Sequence, residues 1–232
     1  MNEIGVVRLG RTEYGETWEL QKRLVALRAG GTNPDLLLLN EHDHVYTIGT
    51  SGEADHLLAG PEELRASGAS VYRSDRGGDI TYHGPGQLVG YPILDLHGYY
   101  LDLHRYLRDL EEVVIRTLAT YGIASGRDSD FTGVWVGQNK IAALGVKVSR
   151  WVTMHGFALN VSTDTSYFDR IIPCGIFHKG VTSMEETLGR PVSLDEVSER
   201  VTEHFGAVFG ARMERRPAES IGAIEQLSQP TN

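Results

Sequence analysis

The sequence predicts an α+β fold, a mixed β-sheet with flanking helices. Segments with helical periodicity are interspersed with short β-rich runs, which is typical of this fold class. Three β-rich runs between Gly133 and Val161 are separated only by short turns, and this spacing predicts a meander of antiparallel strands. The 232 residues contain no low-complexity linker and no internal repeat. We therefore expect one domain, residues 1–210, and leave open a smaller C-terminal lobe that begins at about residue 163.

The elements follow from local patterns. Apolar residues at near-helical spacing predict a first helix from about Tyr14, and the buried run 35–40 and residues 69–74 predict strands. The clearest helix runs from Leu101 to Tyr121, with its leucines on one face. Ser193 and Glu196 have the spacing of a capping box and predict the start of a last helix. Residues 211–232 are polar without a clear period, and we expect them to form a loosely ordered tail.

Composition excludes several function classes. The net charge of −9 argues against general binding to nucleic acid or to an anionic membrane, and no apolar run approaches the ~18 residues of a membrane span. The N-terminus lacks the layout of a signal peptide, and one cysteine cannot form an intramolecular disulfide, so we expect a cytoplasmic protein. His42 and His44 are a weak metal signal without further ligands, and we expect neither a metal nor a cofactor.

The lone cysteine, Cys174, lies between Pro173 and Gly175. A free cysteine is often a small buried hydrophobe, and it can also be a nucleophile. His178 follows four residues later and could act as a base, but the signatures of papain-like and caspase-like enzymes are absent. The residues around Cys174 leave both interpretations open.

A glycine-rich segment, Arg76 to Pro92, contains four glycines and one proline in its first eleven residues. Paired glycines let the backbone approach a ligand closely or adopt positive φ, although turn glycines in a surface loop are an alternative. The segment is not a phosphate loop, because no Lys-Ser/Thr pair follows the glycines. His83 in this segment and His155 further on are interpreted as hydrogen-bond donors that line a pocket.

Lys140 follows the turn residues Gly-Gln-Asn and starts a strand. Strict alternation places its side chain on one face with Ala142, Leu144, Val146 and Val148. Lys140 is then either a solvated residue at a hairpin end or a desolvated lysine whose lowered pKa suits a base.

Four stretches of the chain, taken in this order, resemble the lipoyl(octanoyl) transferases, the octanoyl-acyl-carrier-protein:protein N-octanoyltransferases. They are "RGGDITYHGPGQLVGYP", "KIAALGVKV", "HGFALNV" and "IIPCGI" with the following "VTS". The similarity extends from about residue 36 to residue 201. One departure is Asp43, where the family pattern has proline, and this concerns the stiffness of a loop more than the chemistry.

The resemblance implies a fold like the catalytic domain of biotin and lipoate protein ligases. It also implies a catalytic dyad of Cys174 and Lys140, with Tyr91, Leu144 and Phe157 as candidates for an apolar acyl slot. The implied substrate contacts are Arg76, Gly77, Gly78, Asp79, Ile80, Thr81, Tyr82, His83, Ala143, Leu144, Gly145, Gly156, Phe157 and Ala158.

The resemblance further implies the reaction and its partners. The donor is octanoyl-acyl carrier protein, whose thioester is already activated, so no ATP is needed. The acceptors are lipoyl domains of 2-oxoacid dehydrogenase complexes and the glycine cleavage H protein. Two alternatives stay open: an ATP-dependent lipoate or biotin protein ligase, and a non-catalytic protein that binds acyl groups or lipoyl domains. Because carrier proteins of this kind are acidic, docking needs a positive patch, for which Arg73, Lys147, Arg150 and Lys179 are candidates.

Overall fold

The computed structural model describes residues 1–172 and 179–222. The strands are β1 (Asn2–Thr12), β2 (Asp35–His42), β3 (Val45–Ile48), β4 (Ser70–Arg73), β5 (Ile80–His83), β6 (Gln87–Ile93), β7 (Val134–Val136), β8 (Asn139–Ser149), β9 (Val152–Asn160), β10 (Gly180–Val181) and β11 (Ala211–Arg216). The α-helices are α1 (Tyr14–Ala29), α2 (Pro61–Ala66), α3 (Leu103–Thr120), α4 (Met184–Leu188) and α5 (Leu194–Phe209), with short 3₁₀ turns at Ala54–His56, Leu96–Gly98 and Thr165–Arg170. No helix within these residues is long and apolar enough to cross a membrane.

The larger sheet has the strand order β10-β8-β9-β6-β2-β1-β11, with β7 paired to β8. Its strands pair in parallel at β10–β8, β2–β1 and β1–β11 and antiparallel at the other contacts. A smaller sheet has the order β4-β3-β5. The predictions of an α+β fold with a mixed sheet and of an antiparallel meander, formed by β7, β8 and β9, are therefore confirmed.

The helices cover both faces of the larger sheet. On one face α3 and α5 contribute to an apolar cluster that contains Leu110 and Phe205, and on the other Leu24 of α1 packs into a second cluster. Ser193 caps α5 by accepting the N–H of Glu196 at 3.4 Å, as its sequence position predicts. This arrangement leaves the face that carries α1 next to the smaller sheet, where the cavity described below lies.

The expectation of a loose tail from residue 211 is wrong for its first six residues. Gly210 adopts φ 61° and ends α5, and the chain then runs as β11 beside β1, from Asn2↔Ala211 to Val7↔Arg216. The strand lacks a clear apolar period because it lies at the edge of the sheet. Met213 packs against the core, and its neighbours Arg212 and Glu214 are charged. Its stabilising partner is more than 200 residues away in the sequence, so the boundary expected at residue 210 cuts through the sheet.

Candidate active site

A cavity of about 230 Å³ is lined by residues of α1, β5, β6, β8 and β9 and by residues 130–132. Its lining residues are Tyr14, Arg76, Gly78, Asp79, Ile80, Thr81, His83, Gln87, Val89, Tyr91, Asp130, Phe131, Thr132, Lys140, Ala143, Leu144, Gly145, His155, Gly156, Phe157, Ala158, Asn160, Phe168 and Val181. Among the described residues, the structure brings together Lys140 and every expected substrate contact except Gly77 and Tyr82. Cys174 lies outside the described residues.

Gly77 and Tyr82 belong to the same segment but do not line the cavity. The N–H of Gly77 donates to the carbonyl oxygen of Val146 at 2.9 Å. Tyr82 alternates with Thr81 and His83 on β5, so its ring points to the other side, where its hydroxyl lies 2.7 Å from Nδ1 of His44. Both residues therefore support the segment instead of lining the cavity.

The glycine-rich loop is held on one side by residues 49–51. The N–H groups of Gly49, Thr50 and Ser51 donate to the carbonyl oxygens of Asp79, Arg76 and Gly78 at 3.2, 2.9 and 3.2 Å. A side chain at position 49 would place its Cβ 2.2 Å from the carbonyl oxygen of Gly78. The close approach of the two loops therefore requires glycine at position 49.

Strand β8 holds the other side of the loop. A Cβ at position 145 would lie 2.7 Å from the carbonyl oxygen of Gly77, so the loop backbone rests directly on Gly145. The buried guanidinium of Arg76 donates to the carbonyl oxygen of Thr47 at 2.6 Å and to the Thr47 hydroxyl at 2.9 and 3.1 Å. The glycine and arginine pattern thus fixes a backbone wall of the cavity.

Lys140 lines the cavity, but not in the way that strict alternation predicts. Trp135 pairs with Lys140 and Val134 pairs with Ala142, so one step on β7 matches two on β8 and Ile141 is the extra residue of a bulge. Ile141 and Ala142 are both fully buried in the core. The prediction that Lys140 and Ala142 share one face of the strand is therefore wrong. The Lys140 ammonium lies 4.8 Å from the centre of the Trp135 ring.

A chain of buried hydrogen bonds joins the glycine-rich segment to the strand of Lys140. Nδ1 of His83 donates to Oε1 of Gln87 at 2.8 Å, and the Gln87 amide donates to Asn160 at 2.9 Å. Asn160 donates to the carbonyl oxygen of Thr182 at 3.0 Å, and the Thr182 N–H donates to the carbonyl oxygen of Lys140 at 3.0 Å. Burial lowers the pKa of His83 well below its usual value, so this histidine is a neutral donor. Gln87 and Asn160 were missed as site residues, although the resemblance includes both positions.

Asp75, which precedes the glycine-rich segment, accepts hydrogen bonds from side chains of three different elements. Its carboxylate accepts from Nε2 of His155 at 2.7 Å, from Nε1 of Trp18 at 3.0 Å and from the Lys147 ammonium at 2.6 Å. The hydrogen bond from His155 is the largest cause that lowers the pKa of Asp75, while burial lowers the pKa of His155. His155 is therefore a neutral donor to a carboxylate, and it lines the cavity as expected.

The histidine pair considered for a metal separates in the structure. His42 donates from Nδ1 to the carbonyl oxygen of Thr12 at 3.1 Å and accepts at Nε2 from the Tyr91 hydroxyl at 2.7 Å. Burial lowers the pKa of His42 to about 4. His44 contacts Tyr82 instead. Each histidine thus has its own tyrosine partner.

Comparisons with known proteins identify the family of this chain. A model of the lipoyl protein ligase A/B catalytic domain family matches residues 13–206. The octanoyltransferase of Solibacter usitatus is 54% identical over 93% of this chain and 96% of that protein. The octanoyltransferase of Rubrobacter xylanophilus is 57% identical over 87% of this chain and 91% of that protein.

Solved structures show the fold. A lipoate-protein ligase A bound with ATP is 19% identical, with a TM-score of 0.75 over 97% of this chain and 93% of that chain. The biotin protein ligase of Aquifex aeolicus is 14% identical, with a TM-score of 0.51 over 90% of this chain and 70% of that chain. The expected likeness to biotin and lipoate ligases is confirmed. The chain therefore belongs to the lipoyl protein ligase A/B catalytic domain family, and within it to the octanoyltransferases.

Proposed function

We propose that this protein transfers an octanoyl group from octanoyl-acyl carrier protein to a lysine of lipoyl domains, through a thioester on Cys174. The observation that carries the proposal is the cavity, which combines an apolar floor with Lys140 at the start of β8. The lipoyl domains are those of 2-oxoacid dehydrogenase complexes and the glycine cleavage H protein, and a cytoplasmic location is part of the same proposal.

The floor of the cavity suits an acyl chain. On β8 and β9, Ala143 lies opposite Ala158 and Gly145 lies opposite Gly156. Directly opposite residues have neighbouring side chains, so the small Ala143 and Ala158 leave an apolar groove in the cavity lining, whereas the backbones of Gly77 and Gly90 cover Gly145 and Gly156. Each methylene group that leaves water for such a groove contributes about 0.8 kcal/mol. An eight-carbon chain therefore gains most of its affinity from this surface.

The order of the chain supports a meeting of Cys174 and Lys140. Phe168 and Val181 flank residues 173–178 in the sequence, and both line the cavity. Val181 pairs with Lys140 in the parallel contact of β10 with β8. Described residues on both sides of the segment that carries Cys174 thus line the cavity that contains Lys140, which supports the proposed dyad.

In the first half-reaction Lys140 accepts the Cys174 proton, because a thiol with a pKa of about 8.5 is mostly protonated at neutral pH. The thiolate attacks the donor thioester, the new C–S bond to Cys174 forms as the C–S bond to the carrier breaks, and the Lys140 ammonium gives its proton to the departing carrier thiolate. In the second half-reaction Lys140 removes a proton from the acceptor lysine. The amine then forms a C–N bond while the C–S bond to Cys174 breaks, and the thiolate regains its proton.

The tetrahedral oxyanion of both steps needs fixed N–H donors. The sequence offers the backbone of Gly77, Gly78 and Gly145 for this role. Because the Gly77 N–H already donates to Val146, and because Gly145 pairs with Gly156 in the ladder of β8 and β9, we assign the role to Gly78.

Incubation with octanoyl carrier protein in the absence of ATP tests the proposal. We expect intact-mass spectrometry to show an octanoyl adduct on the wild-type protein, no adduct on Cys174→Ala, and octanoylation when a lipoyl domain is added. Strict dependence on ATP would point to a ligase, and the absence of both adduct and transfer would point to a binding protein.

Lys140→Arg separates the two half-reactions. Arginine keeps the positive charge that favours a thiolate but does not release a proton near neutral pH. We expect the octanoyl–Cys174 intermediate to accumulate while transfer to the lipoyl domain stalls, as measured by single-turnover mass spectrometry. Transfer at the wild-type rate would refute the role of Lys140 as a base.

A further inference from the structure

Residues 127–133, the last part of the connection from α3 to β7, are anchored by a buried carboxylate. Glu111 of α3 accepts from Arg108 at 2.8 Å, from Arg127 at 3.1 Å and from the N–H of Gly133 at 3.1 Å. Its side chain is 1% exposed. Both ends of the loop are thus attached to the core.

The tip of the loop is fixed by Asp128. One carboxylate oxygen accepts the N–H groups of Asp130 and Phe131 at 2.9 and 3.2 Å, and the other pairs with the Lys179 ammonium. Lys179 also lies 4.6 Å from the centre of the Trp135 ring, the ring that Lys140 contacts. The loop tip is therefore held next to the part of the cavity that contains Lys140.

This anchoring places Asp130, Phe131 and Thr132 in the lining of the cavity. Asp130 is exposed, and its carboxylate makes no hydrogen bond or ion pair with any residue of 1–172 or 179–222. Asp79, the other carboxylate in the described lining, accepts from its neighbour Ile80 at 2.7 Å and lies 2.7 Å from Nδ1 of His56. Within the described lining, Asp130 is the carboxylate that can meet an incoming group.

We propose that Asp130 recognises the ammonium group of the acceptor lysine and positions it for the second half-reaction; this rests on the proposed function. The two substrates differ in charge at this point, because the donor presents a neutral thioester on an acidic carrier whereas a free lysine is cationic. A carboxylate at the rim attracts the lysine and offers nothing to the thioester. The bound ammonium group then loses one proton to the surrounding water, and Lys140 removes the second proton from the resulting amine as the C–N bond forms.

A double-mutant cycle tests this contact. The protein and its Asp130→Asn variant are each titrated with an unmodified lipoyl domain and with a lipoyl domain whose acceptor lysine is replaced by glutamine. An exposed ion pair predicts that Asp130→Asn weakens binding of the first domain about 1.4- to 5-fold and leaves binding of the second unchanged. Asp130→Lys should weaken binding of the first domain further, and rising salt should reduce the difference between the protein and Asp130→Asn.

Glu203→Gln is the charge-matched control, since Glu203 is exposed on α5 and does not line the cavity. It should bind both lipoyl domains as the wild type does. Equal effects of Asp130→Asn on the two domains would overturn the proposal. The cycle measures binding, so it gives this answer whether or not octanoyl transfer is observed, and a failure of transfer in the wild type would count against the proposed function alone.

Discussion

Gly49→Ala tests the geometry of the cavity wall alone, because Gly49 has no side chain that could take part in the reaction. The added Cβ would lie 2.2 Å from the carbonyl oxygen of Gly78 and 2.8 Å from Nη1 of Arg76. Since nonbonded carbon contacts are comfortable only at about 3.5 Å, the loop must retreat by about 1 Å. Overpacking of this kind costs about 1–3 kcal/mol, which lowers the Tm by roughly 2–12 °C for a domain of this size.

The expected effect on activity is larger than the effect on stability. A displacement of about 1 Å near reacting atoms can cost about 100-fold in rate. Octanoyl transfer by Gly49→Ala, measured by mass spectrometry at a temperature well below its Tm, should fall by about that factor. Gly60→Ala is the matched control, because a Cβ there meets nothing within 4 Å and its φ is −76°. Wild-type transfer by Gly49→Ala would refute the assignment of the loop as a wall of the reactive cavity.

Two further predictions concern buried groups. Because burial lowers the pKa of His42 to about 4, its neutral form stabilises the fold fully above pH 6.5, and about 3 kcal/mol is lost as the pH falls from 6.5 to 4. Urea unfolding between pH 7 and pH 4 should show this loss, and His42→Gln should have a shallower pH dependence; an equal slope would contradict the assignment. Glu111→Gln removes the carboxylate that pairs with Arg108 and Arg127, and because both arginines keep contact with water it should lower the free energy of unfolding by about 1 kcal/mol. The Tm of this variant and its rate of octanoyl transfer should both fall, whereas an unchanged Tm would show that the arginines do not stabilise the loop.

Local patterns were sufficient for much of the fold. The α3 helix, the β7–β9 meander and the start of α5 at Ser193 each depend on residues close together in the sequence, so periodicity and capping predict them. The strand β11 does not, because its pairing with β1 involves the two ends of the chain. Strand alternation also does not predict the bulge that directs Lys140 into the cavity, since the bulge depends on the register of β7 with β8.

The pairing of charged residues shows the same limit of prediction from local sequence patterns. Lys147 and Lys179 were candidates for a positive docking patch, but they pair with Asp75 and Asp128. Arg73 and Arg150 have no hydrogen bond or ion pair among the described residues and remain the candidates of that patch. Sequence supplies the positive charges, whereas the fold decides which of them have carboxylates beside them.

The stretch that begins at His155 shows why the sequence could find the site but not explain it. The family resemblance implies Gly156 as a substrate contact. In the structure a Cβ at 156 would lie 2.2 Å from the carbonyl oxygen of Gly90, so glycine is required by the close approach of β6. The unusual backbone lies one residue earlier, where His155 has φ 56°.

A left-handed conformation costs about 1–2 kcal/mol for a residue with a side chain. His155 keeps it because its N–H donates to Gln21 at 2.8 Å and its ring donates to Asp75 at 2.7 Å. These partners are 134 and 80 residues away in the sequence. The histidine at the cavity is thus held by α1 and by the residue before the glycine-rich loop, and only the folded chain brings those two elements to it.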